Sequence, residues 1–111
     1  MPTLFIDPGR LSQQLLLEKP VYSQDDTGAV AVDWSEFGQI WAQVEPVEAG
    51  LRSFGEQTLP ESTHRVTMRM REDITSDMRL RKGGRTFQIL TLHDPDESRR
   101  YLVCRVREEQ R

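Results

Sequence analysis

Apolar and polar residues alternate with a period of two along most of this chain, and this alternation predicts β-strands. The cleanest example is His64–Arg71, in which Val66 and two methionines alternate with Thr67 and basic residues. Shorter stretches of the same kind lie at 15–22, 29–34, 39–47, 85–92 and 101–107. In 85–92 the apolar residues occupy both faces, which predicts a strand that is covered on both sides.

Turn-forming residues separate these stretches at fairly even intervals, which favours short strands over long helices. Gly83-Gly84 predicts a tight hairpin. Asp94-Pro95-Asp96-Glu97 and Asp25-Asp26-Thr27-Gly28 predict two further hairpin turns. We therefore expect an all-β fold, a small β-barrel of about six antiparallel strands, because closure removes exposed strand edges.

Two segments depart from the alternation. Residues 7–14 are predicted to be a short helix or a loop. Residues Glu48–Ser62 fit neither a helical nor a strand period, and two glycines and Pro60 argue against a stable helix there. This long connection joins two strands that would otherwise form a simple hairpin, and such an excursion is usually functional or disordered.

The length of 111 residues predicts a single domain spanning 1–111. No stretch approaches the roughly 20 consecutive apolar residues of a membrane-spanning helix, so we expect no membrane association. The first residues lack the basic region and apolar run of a signal peptide. A single cysteine, Cys104, excludes an internal disulfide and a cysteine-based zinc site.

Charge is unevenly distributed along the chain, although the formal net charge is only −3. Residues 1–63 carry 3 basic and 10 acidic side chains, whereas residues 64–85 carry 7 basic and 3 acidic ones. These residues could form the solvated faces of strands. Alternatively, the acidic part of one subunit could meet the basic part of a neighbour, since complementary patches set register and association rate.

Candidate catalytic groups are sparse, and the sequence predicts neither an enzyme nor a cofactor or metal site. His64 and His93 fall on different predicted elements, at no metal-ligand spacing. Cys104 lies on the same face of its predicted strand as Leu102 and Val106, which predicts a buried, inert thiol. The acidic clusters in the predicted turns do not match the pattern of a calcium-binding loop, so turn formation is the better interpretation.

Two further groups of side chains are candidate binding or packing surfaces. The basic strand with Arg65, Arg69 and Arg71 could contact phosphate, but the interleaved aromatics of a single-strand binder are absent. Trp34 and Trp41 are large aromatics in a strand-rich segment, and we expect both to pack in the core.

Three motifs follow one another in a fixed order along the chain: Trp-Ala-x-Val-Glu-Pro at 41–46, Thr-His-Arg at 63–65 and Gly-Arg-x-Phe-x-Ile at 84–89. This ordered combination resembles that of the head–tail joining proteins of tailed bacteriophages, also called head-closure or stopper proteins and also found in gene-transfer agents. The resemblance covers roughly residues 9–109. The remaining stretches that carry it are Gly9-Arg10-Leu11, Asp26-Thr27-Gly28, Trp34, Ile74–Arg79 and Tyr101–Cys104.

The resemblance implies a structural subunit of a virion rather than an enzyme. It implies a dodecameric ring at the head–tail interface, beneath the portal and adaptor rings, that retains packaged DNA and docks the tail. Such a subunit would be assembled in the host cytoplasm and could be monomeric in solution, and DNA would pass through the ring without specific binding.

The long inter-strand loop at 48–62 would then project toward the channel and close it. The residues expected to act in this gating loop are Glu48, Leu51, Arg52, Phe54, Glu56, Leu59 and Glu61. Ring contacts of this kind join two different faces of each subunit, and Arg65, Arg69 and Arg71 are candidates for the basic face. Two other readings stay open: a tail terminator or other tail-completion protein, and a small β-barrel module that binds nucleic acid or protein.

Overall fold

Six antiparallel strands form the main sheet of this computed structural model, which describes residues 6–47, 51–54, 57–60 and 62–109. For 51–54 and 57–60 it describes only the strands and their pairing. The elements in chain order are a 3-10 turn (Pro8–Arg10), β1 (Gln13–Gln24), β2 (Val30–Pro46), β3 (Leu51–Phe54), β4 (Gln57–Pro60), β5 (His64–Arg69), β6 (Arg79–Lys82), β7 (Arg85–His93) and β8 (Tyr101–Glu108).

The main sheet closes on itself in the order β1-β2-β5-β8-β7-β6, with β6 pairing back onto β1. This closed, all-β arrangement confirms the fold predicted from the alternation. The 3-10 turn at Pro8–Arg10 also agrees with the short helix expected near the N-terminus, and Asp7 caps it by accepting a hydrogen bond from the Gly9 amide at 2.9 Å.

The core fills the interior of the closed sheet with the inward-facing side chains of all six strands. Its fully buried members are Leu15, Leu17, Ala42, Val66, Leu80, Phe87, Cys104 and Val106. Ile74 and Met78, from the connection between β5 and β6, complete the same cluster. The period-two pattern therefore predicted the inward face correctly for most strands, because a side chain on every second residue points to the same side of a sheet.

A β-bulge explains why the apolar residues of β7 fall on both predicted faces. The register shifts between Ile89 and Thr91, so that Ile89 lies opposite Val106 and Leu92 lies opposite Cys104. Because one extra residue in a strand reverses the alternation beyond it, Ile89 and Leu92 both face the core although they are three residues apart. The prediction of a strand covered on both sides is therefore wrong, because the bulge accounts for the apolar residues on both predicted faces.

One long strand replaces the two strands that were predicted at 29–34 and 39–47. β2 runs through Gly38 without a break, and its register against β1 shifts where Leu17 pairs with Gly38 and Glu18 with Glu36. Since Phe37 is the additional residue at this shift, the apparent interruption in the sequence is a bulge within a continuous strand. The β1–β2 ladder therefore continues beyond the residues of β1 that pair with β6 and the residues of β2 that pair with β5.

The prediction that both tryptophans on β2 pack in the core is wrong. Trp41 is 58% exposed on the outside of the sheet. Trp34 is half-buried, and its ring lies 4.2 Å from the guanidinium carbon of Arg79, a cation–π contact. Period two places Trp41 opposite to its buried neighbours Ile40 and Ala42, so the alternation outweighs the general tendency of tryptophan to be buried.

Candidate hairpin base and subunit surfaces

The three motifs singled out in the sequence meet at one end of the barrel. β2 ends at Pro46 and β5 begins at His64, and these two residues are paired. Just beyond them, the Val47 amide donates to the Thr63 carbonyl at 2.9 Å. The segment 48–62 therefore leaves and re-enters the barrel between two hydrogen-bonded strands, and we call this junction the insertion base.

Thr63 ties the insertion base to the last strand. Its amide donates to the Val106 carbonyl at 2.9 Å, and its hydroxyl oxygen accepts from the Glu108 amide at 2.7 Å. The same oxygen lies 2.9 Å from Nδ1 of His64. A threonine in this place satisfies backbone and side-chain donors together, which gives the Thr-His-Arg motif a structural reason.

His64 lies between the threonine and a second pair of charged residues. Its ring stands edge-on to Phe87, with the centroids 5.2 Å apart, and its Nε2 is 3.4 Å from the Arg85 guanidinium. A proton on Nδ1 lets His64 donate to Thr63 and accept from Arg85 in the neutral form. Burial lowers the pKa of His64, and Arg85 lowers it further, although the charge of Glu108 opposes both.

Arg85 and Glu108 form an ion pair on the solvent side of the insertion base. The guanidinium donates to both carboxylate oxygens of Glu108, at 2.9 and 3.1 Å, in a two-pronged ion pair. This hydrogen bonding lowers the pKa of Glu108 and raises that of Arg85. The Gly-Arg-x-Phe motif therefore supplies both the arginine and the phenylalanine that hold His64.

The segment beyond this base contains a second, separate sheet. β3 and β4 pair as an antiparallel hairpin in which Leu51 lies opposite Pro60 and Phe54 lies opposite Gln57. The sequence pattern predicted one long connection without strands here. Of the residues expected to gate a channel, Leu51, Arg52, Phe54 and Leu59 lie on these two strands, whereas Glu48, Glu56 and Glu61 lie outside the described residues.

The three arginines proposed for a subunit contact differ in their surroundings. Arg65 pairs across the sheet with Glu45 at 3.2 Å, and Arg71 pairs with Asp73 at 2.8 Å. Arg69 is exposed at the end of β5 and has no charged or hydrogen-bonding partner within the described ranges. Of these three arginines, Arg69 is therefore the one whose charge is not offset by another described residue.

Beside Arg69 there is a cleft with a volume of about 450 Å³, which we call the Trp41 cleft. Its apolar lining comes from β2, from Met68 and from the N-terminal turn, and Arg69 and Arg71 lie at its edge. It lies at the end of β5 opposite to the insertion base, because β5 runs from His64 to Arg69. The barrel therefore presents a polar insertion base at one end and an amphipathic cleft at the other.

Comparison with known proteins assigns the chain to a family. The sequence profile of the family described as "Phage head completion protein" matches residues 6–109, which is nearly the whole chain. The chain belongs to the phage head completion protein family. None of the curated proteins compared matches it.

Two solved structures resemble this head completion protein. A chain from the "Virion of native gene transfer agent (GTA) particle" is 27% identical, with a TM-score of 0.66 over 86% of this chain and 91% of that one. Protein SF1141 from Shigella flexneri 2a is 23% identical, with a TM-score of 0.68 over 93% and 96% of the two chains. The second likeness concerns the fold alone, whereas the first is to a component of a particle.

The family is a structural, non-enzymatic one, and the two groups considered for chemistry agree with this among the described residues. Cys104 is buried, and burial raises the pKa of its thiol to about 12, so the thiolate needed for nucleophilic chemistry is scarce at neutral pH. In the described part of the chain, no group of three or more potential ligands could hold a metal ion. No helix among the described residues has the length and apolar character that crossing a bilayer requires.

The acidic turns of this head completion protein use their carboxylates to shape the loops, as the sequence indicated. Asp25 accepts from the amides of Thr27 and Ala29, both at 2.9 Å, and from the Thr27 hydroxyl, and these bonds lower its pKa. Asp94 and Asp96 accept backbone amides within the β7–β8 connection in the same way.

Sequence reasoning missed the Trp41 cleft and the length of the β1–β2 hairpin. The signal for the cleft was available, because Trp41 falls on the outward phase of a strand whose inward residues are Ile40 and Ala42. The signal for the long hairpin was hidden by the bulge at Phe37, which breaks the alternation without ending the strand.

Proposed function

We propose that this protein is a head–tail connector subunit that closes the filled head of a tailed phage or gene-transfer agent, retains its DNA and docks the tail. The observation that carries this proposal is the position of the β3–β4 hairpin. It is inserted between two neighbouring strands of a closed barrel, and a polar network holds its base. Membership of the head completion family and the likeness to a gene-transfer-agent virion component support the same role.

In the proposed assembly, twelve copies form a ring at the head–tail interface, after assembly in the host cytoplasm. One end of the ring meets the portal or its adaptor, and the other meets the tail. A ring of identical subunits needs two different surfaces on each copy, because head-to-tail contacts are heterologous. The basic residues Arg65, Arg69 and Arg71 belong to one of these surfaces.

The inserted hairpins meet in the channel and obstruct it until ejection. The segment 48–62 carries one arginine, Arg52, and the three glutamates Glu48, Glu56 and Glu61. A net acidic segment repels the phosphate backbone, so the ring lets DNA pass without gripping it. The apolar residues Leu51, Phe54 and Leu59 pack against one another between neighbouring hairpins when the channel is closed.

Particles made without the protein test this function. Electron microscopy should reveal filled heads that lose their DNA and bear no tails. Normal head closure combined with tails of uncontrolled length would instead indicate a tail terminator and would overturn the proposal.

A substitution in the hairpin tests the gating role by itself. Phe54→Ala should give particles that join tails but leak DNA, measured as the nuclease-sensitive fraction of packaged DNA. The matched control is Phe37→Ala on β2, which removes an aromatic ring outside the inserted hairpin. Equal DNA retention in Phe54→Ala and unaltered particles would contradict the gating role and leave the connector role standing.

A further inference from the structure

The hairpin formed by β1 and β2 extends well beyond the barrel as a two-stranded arm, here residues 20–36. β1 pairs with β6 only over Leu16–Glu18, and β2 pairs with β5 only from Ala42 onward. Every residue from 21 to 33 is exposed. The paired strands of the arm reach about 20 Å from the barrel, at 3.4 Å per residue.

One face of this arm is apolar and open to solvent. Tyr22 pairs with Val32 and Gln24 pairs with Val30, so the three apolar side chains of these pairs share a face. They are 63%, 46% and 66% exposed for Tyr22, Val32 and Val30. An isolated two-stranded hairpin is only marginally stable in water, and clustered exposed apolar side chains mark an interaction surface.

The arm is also strongly acidic. Residues 20–36 contain Asp25, Asp26, Asp33 and Glu36 and no lysine or arginine. Asp25 is engaged in shaping the turn. Asp33 pairs with Val21 on the face opposite to Tyr22 and Val32, whereas Glu36 shares the face of Val32. Asp26 in the turn and Glu36 are therefore the carboxylates that lie beside the apolar face. A partner for this surface must therefore be apolar in its centre and basic at its edge.

The Trp41 cleft of the same protein has this composition. Leu11, Ile40 and Met68 line it, and Trp41 lies over it with 58% of its surface exposed. Large, partly exposed aromatic residues of this kind often dominate binding at protein interfaces. Arg69 and Arg71 lie at its edge, and the charge of Arg69 is not offset by any group in the described part of the chain.

We propose that the arm of one copy occupies the Trp41 cleft of the next copy. Tyr22, Val30 and Val32 cover Trp41, and the carboxylates beside this face, Asp26 and Glu36, meet the basic edge formed by Arg69 and Arg71. Because the arm and the cleft are different surfaces of one chain, the contact is heterologous, and its repetition closes a ring. The inference rests on the proposed connector function and identifies the surfaces that hold its ring together.

Crosslinking in assembled particles tests the contact directly. Arg69→Lys keeps the charge and adds an amine, which a carbodiimide joins to a carboxylate only at ion-pair distance. Particles that lack the protein are completed with an equal mixture of ¹⁴N- and ¹⁵N-labelled Arg69→Lys protein. We expect crosslinks from position 69 to Asp26 or Glu36, about half of which join differently labelled chains.

Arg107→Lys is the matched control, because Arg107 lies near the C-terminal end of β8, on the side of the insertion base. Its amine should give no crosslink to the arm. Crosslinks from position 69 that join only equally labelled peptides, or that reach an adaptor or tail protein instead, would overturn the arm contact while leaving the connector function in place. Absence of the protein from completed particles would overturn both.

Apolar substitutions complete the test. Tyr22→Ser and Trp41→Ser should each reduce the mixed-label crosslink at least tenfold in the Arg69→Lys background, and the combination should reduce it little further. Both side chains are largely exposed, so the thermal midpoint of the isolated chain should stay within about 2 °C. Unchanged crosslinking in both variants would overturn the proposed apolar contact.

Discussion

Two hairpins project from the closed sheet, and they are attached to it in different ways. The β1–β2 arm continues two barrel strands, so the same ladder of backbone hydrogen bonds holds both arm and wall. The β3–β4 hairpin pairs only with itself, and its connection to the barrel passes through the insertion base with Thr63, His64, Arg85 and Glu108. The arm is a continuation of two strands of the barrel, whereas the β3–β4 hairpin is joined to the barrel through a few polar side chains.

Because of this difference, we expect the arm to contribute mainly to assembly and the insertion base mainly to the stability of the subunit. Exposed side chains on the arm contribute little to the stability of the isolated chain, because only a minor part of their surface is covered by other residues. The insertion base is partly buried, so its polar groups contribute to stability and also set where the inserted hairpin leaves the barrel. Substitutions in the arm should act on the ring, whereas substitutions in the insertion base should act on the subunit first.

The largest expected effect is on the free energy of unfolding. It is expected for an aromatic residue beneath the insertion base and not for one on the arm. Phe87 is fully buried under His64, and Phe87→Ala should lower the free energy of unfolding by about 3–5 kcal/mol. Tyr22→Ala removes an exposed ring and should change it by about 0.5 kcal/mol or less. Chemical denaturation of both variants provides the measurement, and similar losses would mean that the arm packs onto the barrel.

A smaller effect is expected at the polar junction. Thr63→Val keeps the shape of the side chain but removes the oxygen that accepts from the Glu108 amide. We expect a loss of about 1–2 kcal/mol, because a partly buried donor is left without its acceptor. Thr91→Val, on an exposed outward position of β7, is the control and should be neutral.

Hydrogen exchange sharpens this prediction, because it shows which amides lose protection in the variant. In Thr63→Val, protection should fall first at the Glu108 and Val47 amides, which belong to the insertion base. Protection of amides in the β1–β2 ladder should stay unchanged. A uniform fall across both regions would show that the insertion base is not a separate unit of stability.

The smallest effect is a dependence on pH that is specific to the insertion base. Because the pKa of His64 is lowered in the folded protein, the unfolded chain binds this proton more readily. Stability should therefore be complete above about pH 6.5 and should fall as the pH is lowered from there toward the folded pKa. The lowered pKa values of Asp73 and Glu108 act in the same direction, but below the ordinary carboxylate range of about pH 4–4.5.

His64→Gln separates the histidine from the carboxylates. Thermal midpoints between pH 7 and 5 should fall less steeply in this variant than in the unaltered protein. His93→Gln, at an exposed position of β7, is the control for the loss of a histidine as such. An unchanged slope in His64→Gln would contradict the account of the histidine between Thr63 and Arg85.

The period-two pattern predicted most of the barrel and one part of the candidate site. Val66 and Met68 of β5 and Leu102 and Cys104 of β8 are buried as their phase predicted. The Gly83-Gly84 turn joins β6 to β7 with Lys82 and Arg85 paired, and Gly83 adopts φ +59°, a conformation that favours glycine. These features depend on neighbours in the chain, so a local pattern is sufficient to indicate them.

The sequence by itself determined the all-β class, the inward face of most strands and the turns, because each follows from residues that are close along the chain. The tertiary structure alone decided that Thr63, Arg85 and Glu108 meet at one end, since closing the sheet brings together residues up to 45 positions apart. It also decided that the bulge at Phe37 extends β2 into an arm and that Trp41 faces outward over a cleft. Those surfaces depend on strand register and closure, which arise from long-range pairing that no local pattern contains.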